Sequence, residues 1–261
     1  MCIRDSVGLV PARAGEVRVD GLRLSGDGTA IRRRTTYAPG ELHLYGEMSG
    51  KDQLAFLLRG RDRATILRAQ GIAQDMDLPL HRRVRGYSHG MKRQLIFAAA
   101  LAPDVRVRIL DEISEGLDPA KRSEVLDRIE ADAAKGTTIL LSSHHLGEVD
   151  RSCERILFVN AGRLIADETA ASVSERAARL VRVTYPEGTD LSGVETAMKG
   201  DWLDTLRVDG ADVQVLLSSD DPRPFFQCLG STTGLPAPIG VEQGKLSLRE
   251  LYRSLYGVEG T

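Results

Sequence analysis

Up to about Asp167 the chain alternates short β-rich runs with stretches of helical period, the pattern of an α/β domain built on a buried sheet. Val17 and Val19 alternate with polar residues up to Asp20-Gly21, a dipeptide that closes tight hairpins because both positions tolerate positive φ. Residues 35–38 read as a short strand, and Ser49 followed by Asp52 opens a helix over 50–59 with Leu54, Leu57 and Leu58 on its buried face. A second helix covers 88–102 and is stopped by Pro103; a strand over 107–110 then leads into Asp111-Glu112. Asp118 is the N-cap and Pro119 the first residue of a further helix, with Leu126, Ile129 and Ala133 on one face and Gly136 at its close. A strand over 137–143 ends in His144-His145.

From about Ala178 the elements become smaller. The spacing predicts strands at 180–185, 203–208, 212–217 and 238–242, helices at 190–199, 222–229 and 247–256, and a turn at Asp209-Gly210. A boundary within 169–178 therefore gives two domains, 1–168 and 178–261. The first six elements of the second follow the split βαβ, ferredoxin-like order, an arrangement that hosts many unrelated functions.

Composition narrows the class further. With 42% hydrophobic and 28% charged residues the chain is globular, and 35 basic against 37 acidic side chains set up no global field toward nucleic acid or anionic lipid. The longest strongly apolar run, 95–102, falls far short of the ~20 residues that cross a bilayer, and residues 1–10 lack the apolar core of a signal peptide, so a cytoplasmic protein is expected. Cys2, Cys153 and Cys228 are odd in number and widely spaced, which suits free thiols better than disulfides or a metal knuckle.

Three local patterns carry chemistry. Asp111 and Glu112 leave an apolar strand side by side, an arrangement that is costly unless the carboxylates are solvated, paired or metal-bound. Successive strand residues face opposite ways, so one can hold Mg2+ while the other faces an attacking water; an acidic surface loop is the plainer alternative. Tyr87-Ser88-His89-Gly90-Met91-Lys92-Arg93 places two cations in the first turn of a helix, against its dipole, which suits an end that meets a phosphate as well as an ordinary serine cap. His144 ends a core strand, where it can contact a phosphate or a water, or simply pack.

Taken in order, these residues resemble the nucleotide-binding subunit of ATP-binding cassette (ABC) transporters, a P-loop NTPase fold. Ser88-His89-Gly90-Met91 is similar to the signature motif, Ile109-Leu110-Asp111-Glu112 to Walker B, Glu115-Gly116-Leu117-Asp118 to the D-loop, and His144 to the switch histidine. The resemblance implies ATP and Mg2+ as cofactors, Asp111 as the metal partner, Glu112 as general base and His144 at the γ-phosphate. It also implies that Ser88 and Gly90 touch the nucleotide of a second subunit in a head-to-tail dimer. A separate transmembrane permease would be the partner, at the inner face of the plasma membrane, with Leu42-His43-Leu44-Tyr45 as its candidate contact. The segment 246–256 is similar to the close of the accessory domain of two-component exporters.

The chain departs from the family pattern in three places. Ile113 replaces a proline, and Gly40 stands where a glutamine usually contacts the metal, leaving that contact to Glu41, a water or nothing. No GxxxxGK[ST] phosphate loop occurs in the sequence, and Gly8 to Gly21 resembles the family's segment on the C-terminal side of that loop and its helix. The expectation is a nucleotide-binding domain incomplete at its N-terminus, inactive as it stands. Two other readings stay open: a soluble ATPase acting on ribosomes or DNA through Arg32-Arg33-Arg34, and a non-catalytic dimerisation module. Absent first strands would expose apolar sheet surface; a sharp, reversible unfolding transition from a monomer at high concentration would contradict this.

Overall fold

The computed structural model describes residues 7–10, 14–143, 152–160, 162–231 and 237–244. By contacts the chain divides into two units, Met1–His144 and His145–Thr261. The expected helix at 247–256 lies outside the described residues, as does His144.

The first unit opens with a hairpin, β1 (Arg18–Val19) against β2 (Leu22–Arg23), turned by Asp20 and Gly21 at φ 50° and 75°. Helix α1 (Thr29–Arg34) runs straight into β3 (Thr35–Ala38). Two helices follow, α2 (Gly50–Leu57) capped by Ser49 and α3 (Arg63–Asp75) capped by Asp62. Then come α4 (His89–Leu101) capped by Ser88, β4 (Val107–Asp111), α5 (Pro119–Ala133) capped by Asp118, and β5 (Thr138–Ser142). Each side-chain cap satisfies a backbone N–H that a helix start leaves open, worth about 1 kcal/mol. The three longer strands form a parallel sheet in the order β3-β4-β5. Parallel strands are buried on both faces, which is why Ile109 and Leu110 are adjacent apolar residues of β4 and even Arg108 beside them is out of water.

Helix α4 joins two cores. Leu95, Ala98 and Ala99 pack with Leu54, Leu58 and Ala73 of the α2–α3 layer, while Ile96, Phe97 and Ala100 pack with Leu110, Val125 and Ile129 at the sheet. It is apolar nearly all round because it has no solvent face in that stretch.

Two expected core positions are exposed. Leu57 is 39% exposed because α2 ends there and the buried place passes to Leu58, while Gln53, wholly buried, accepts a hydrogen bond from the Tyr45 amide. Ala133 faces solvent because the inner stripe of α5 is Val125, Leu126, Ile129 and then Asp132. Asp132 turns inward to meet Arg108, whose guanidinium is buried in the middle of β4 and also donates to the carbonyls of Ala100 and Pro103.

The second unit begins with an antiparallel hairpin, β6 (Arg155–Asn160) with β7 (Arg163–Thr169), and Thr169 caps α6 (Ala170–Ala178). Leu157, Val159, Leu164 and Ile165 of the hairpin are exposed. Beyond it lie β8 (Leu180–Thr184), α7 (Val194–Ala197), β9 (Leu203–Asp209), β10 (Asp212–Leu217), α8 (Arg223–Ser231) and β11 (Gly240–Gln243). The sheet order β11-β8-β10-β9, all antiparallel, is the ferredoxin-like arrangement. Val181, Val183, Val213 and Val215 face Val194, Met198 and Phe225 across its core. The helix expected over 190–199 shrinks to a single turn because the Asp190 carboxylate accepts from the Ser192 amide, a local bond that competes with helix.

The Arg108–Asp132 pair yields a test. Asp132→Ala strands a buried guanidinium and is expected to lower stability by about 3 kcal/mol or more, read as the shift in urea midpoint at unchanged slope.

Candidate active site

The carboxylate end of β4 is built by sheet register. Asp111 lies opposite Ser142, whose hydroxyl donates to Asp111 Oδ1 at 2.5 Å, and the Tyr37 hydroxyl from β3 reaches Oδ2 at 3.4 Å. Ser142 also accepts from the Glu112 amide at 3.1 Å, so its hydroxyl is fixed between the two acidic residues. Glu112 then turns to φ 48°, the left-handed region, at about 1–2 kcal/mol for a residue with a Cβ. Strain of this kind persists only where the surroundings over-determine it, and it gathers at reactive sites.

The turn after β3 lies beside this end. A Cβ at Gly40 would stand 3.5 Å from Asp111 Oδ2, in ordinary van der Waals contact, so the turn passes directly beside the carboxylate. Glu41 is exposed and pairs with His43 at 3.4 Å. A cavity of about 320 Å³ borders the same segment, lined among others by Thr35, Tyr37, Glu41, Leu57 and Arg61.

The start of α4 closes the other side. Ser88 Oγ accepts from the Met91 amide at 3.2 Å, and Met91 packs on the α2–α3 core. Asp118 does the same for α5 through the Lys121 amide at 2.9 Å. His89 and Gly90 press on the turn at Gly116: a Cβ on Gly90 would be 3.0 Å from the Gly116 carbonyl oxygen, and one on Gly116 only 2.4 Å from His89 Nδ1. With φ at 71°, Gly116 is needed both for its backbone and for this approach. Arg93, one turn into α4, is 1% exposed and donates to the carbonyls of Pro39 and Gly40 at 3.1 and 2.8 Å and to Glu115 at 3.1 Å. Burial pulls its pKa below the usual arginine range, against the opposing charges of Glu115, Glu112 and Asp111.

The structure thus sets Gly40 against Asp111 and, separately, His89 and Gly90 against Gly116, keeps Ser88 and Asp118 as helix caps, and holds Glu41 out in solvent. Sequence reasoning missed Tyr37 and Ser142. Ser142 could have been found, since parallel pairing of the two predicted strands sets it opposite Asp111. Arg93, read from the sequence as a first-turn cation open to a phosphate or to solvent, is instead buried against two backbone carbonyls and Glu115, partners that local sequence does not reveal.

A carboxylate flanked by two hydroxyls is a hard-oxygen donor set that suits Mg2+. Among the described residues no group of three or more His, Cys, Asp and Glu is placed to hold a metal. The residues therefore fit a cation shared with water and substrate oxygens, while no glycine-lysine loop is present in the sequence to cradle the phosphates of ATP.

A family model described as "AAA domain, putative AbiEii toxin, Type IV TA system" matches residues 16–150. The chain belongs to this family of ATPase domains. Among curated proteins it is 28% identical over 266 residues to the daunorubicin/doxorubicin resistance ATP-binding protein DrrA of Streptomyces peucetius, covering 98% of this chain and 79% of that protein. It is 36% identical over 178 residues to the fluoroquinolones export ATP-binding protein Rv2688c of Mycobacterium tuberculosis, 66% of this chain and 56% of that one. A third relative, DrrA3 of Streptomyces coeruleorubidus, is 37% identical, and the chain spans about half its length. A solved ATP-binding subunit of an ABC transporter superposes at TM-score 0.59 with 27% identity, covering 66% of this chain and 73% of that one. A dimeric ATP-binding cassette in a post-hydrolysis state with ADP and Pi gives 0.57 at 20% identity over 64% and 78%, a likeness of fold. The resemblance to ABC exporter ATP-binding subunits read from the motifs therefore holds.

Ser142→Ala removes the hydroxyl that donates to the Asp111 carboxylate, while the Glu112 amide keeps the Ser142 carbonyl oxygen at 3.1 Å, and is expected to lower stability by about 1.5–3 kcal/mol in chemical denaturation.

Proposed function

We propose that this chain is the ATP-hydrolysing subunit of an exporter whose permease is a separate polypeptide. The observation that supports this best is the β4 end, where Ser142 and Tyr37 hold Asp111 against the Gly40 turn and Glu112 follows in a left-handed conformation. In this reading Asp111 holds Mg2+, Glu112 polarises the attacking water and His144 contacts the γ-phosphate. The turn at Gly40 would lie beside that cation, with Glu41 reaching it only by leaving His43. Ser88, His89, Gly90 and Met91, with Gly116 and Asp118, face the nucleotide of a second copy arranged head to tail. Residues 1–168 carry the chemistry, and 178–261 form an accessory domain.

Among the described residues no helix is long and apolar enough to cross a membrane. In this reading the subunit sits on the inner face of the plasma membrane through its permease. Tyr45, 56% exposed, and Phe56, 40% exposed, meet edge to face at 4.9 Å and offer an aromatic contact for it, next to the predicted 42–45 segment. Nucleic acid is not an expected partner. Arg32 donates to the carbonyls of Val7 and Asp27, and Arg34, though exposed, pairs with Asp20, so two of the three cations are engaged within the chain.

The phosphate cradle decides affinity. Charge-assisted hydrogen bonds are worth roughly 1.5–3 kcal/mol each, so lacking about three removes on the order of 4–9 kcal/mol, or about three to six decades. The chain alone is expected to bind Mg-ATP no tighter than about millimolar by calorimetry; micromolar binding would overturn this. In a gene product that does hydrolyse ATP, Glu112→Gln should lower kcat by about 10²-fold or more, and an unchanged rate would remove Glu112 as the base.

A further inference from the structure

Helix α4 touches two segments on either side of the acidic strand end, and one side chain joins them. Arg93 Nη1 serves the Pro39 and Gly40 carbonyls, and Nη2 serves Glu115, three residues past Glu112. We propose that Arg93 is a positioning residue that ties the Pro39–Gly40 turn to the 115–116 turn, so that both hold one register against Asp111 and Glu112. The inference rests on reading that strand end as the hydrolytic site.

A buried guanidinium is tolerated only while its charge and donors are matched, and its planar fork can meet acceptors on two sides at once, which an ammonium cannot. Glu115 is 44% exposed, so the counter-charge lies at the edge of the buried group, and Nε is buried without a hydrogen-bond partner. Neither turn can leave without stranding the charge. The turn at Gly40 has no side chain with which to hold Asp111, so its anchorage comes through its carbonyls from the α4 side. The contact of His89 and Gly90 with Gly116 brings the second turn to the same helix independently. Arg108 converges in the same way on two carbonyls and a carboxylate elsewhere in the unit; what sets Arg93 apart is that the two segments it joins adjoin Asp111 and Glu112.

The test is hydrogen exchange by mass spectrometry on the full chain without nucleotide, alongside circular dichroism and thermal unfolding. In Arg93→Met, which keeps the volume and drops the donors, amides of residues 40–43 and 115–117 are expected to exchange at least tenfold faster, with α5 and β5 protected as in the parent. Arg93→Lys should recover only part of that protection. The decisive variant is Glu115→Ala: residue 115 does not hydrogen-bond the 39–40 turn, yet through Arg93 its loss should speed exchange at 40–43 severalfold. Unchanged exchange at 40–43 in Glu115→Ala overturns the proposal, as does a uniform rise over the whole first unit in a folded Arg93→Met. If Arg93→Met does not fold, Glu115→Ala carries the test by itself. Faster exchange together with a Glu112→Gln variant of undiminished hydrolysis would keep the tie and remove the hydrolytic reading.

Discussion

The first unit depends on burying α4 on every side. A helix packed against the α2–α3 layer on one face and the parallel sheet on the other must give up its polar stripe, and from Leu95 to Ala100 it does. Sheet register sets Ser142 and Tyr37 on Asp111, and the burial of α4 places the turns around them. The N-terminal turn of α4 reaches the Gly116 turn, its second turn carries Arg93 to the Pro39–Gly40 carbonyls, and its C-terminus turns back into β4. One rigid element thus sets three segments around Asp111 and Glu112. A looser helix would leave each to find its own position at the entropic cost of a free loop.

Buried charge recurs in this unit, and each instance is matched. Arg108 in β4 and Arg93 in α4 both lie almost wholly out of water, and both meet carbonyl oxygens as well as a carboxylate. Such groups are poor sources of net stability, since an apolar replacement of equal volume can be neutral or better. What they provide is a fixed arrangement, because a guanidinium in a dry site accepts few geometries. Arg108 binds the sheet to α5 through Asp132, away from the carboxylate end, whereas Arg93 works at that end.

Much of this was legible in the sequence, for local reasons. The hairpin at Asp20-Gly21, the caps at Ser49, Ser88 and Asp118, and the strands at 35–38, 107–110 and 212–217 rest on residues whose preferences are decided by their neighbours in the chain. The strand order of the ferredoxin-like sheet followed from element order. What was not legible depends on partners distant in sequence or on a competing local bond. Leu57 and Ala133 fit their apolar stripes but lie at helix ends, and periodicity does not say where a neighbouring element stops. Residues 190–199 have helical spacing, yet the Asp190–Ser192 bond holds the chain in a turn. Arg93 looked like a surface cation of a first helical turn because nothing in the local sequence reveals that two backbone carbonyls lie opposite it.

The same distinction separates the two halves of nucleotide recognition. In the proposed reading the metal-facing half would be made of side chains from three strands and one turn, Asp111, Ser142, Tyr37 and Glu112, which pack together within this chain. The phosphate-facing half of a P-loop site is a run of consecutive backbone amides and a lysine, and no such run occurs in these residues. A carboxylate pair without that run meets a polyphosphate mainly as negative charge against negative charge, so the cation must be bound for the nucleotide to be attracted at all. In the proposed reading the acidic strand end can therefore be fully formed, with Arg93 and Ser142 in place, while affinity for ATP stays low: a well-built site for the chemistry is not by itself a site for the substrate.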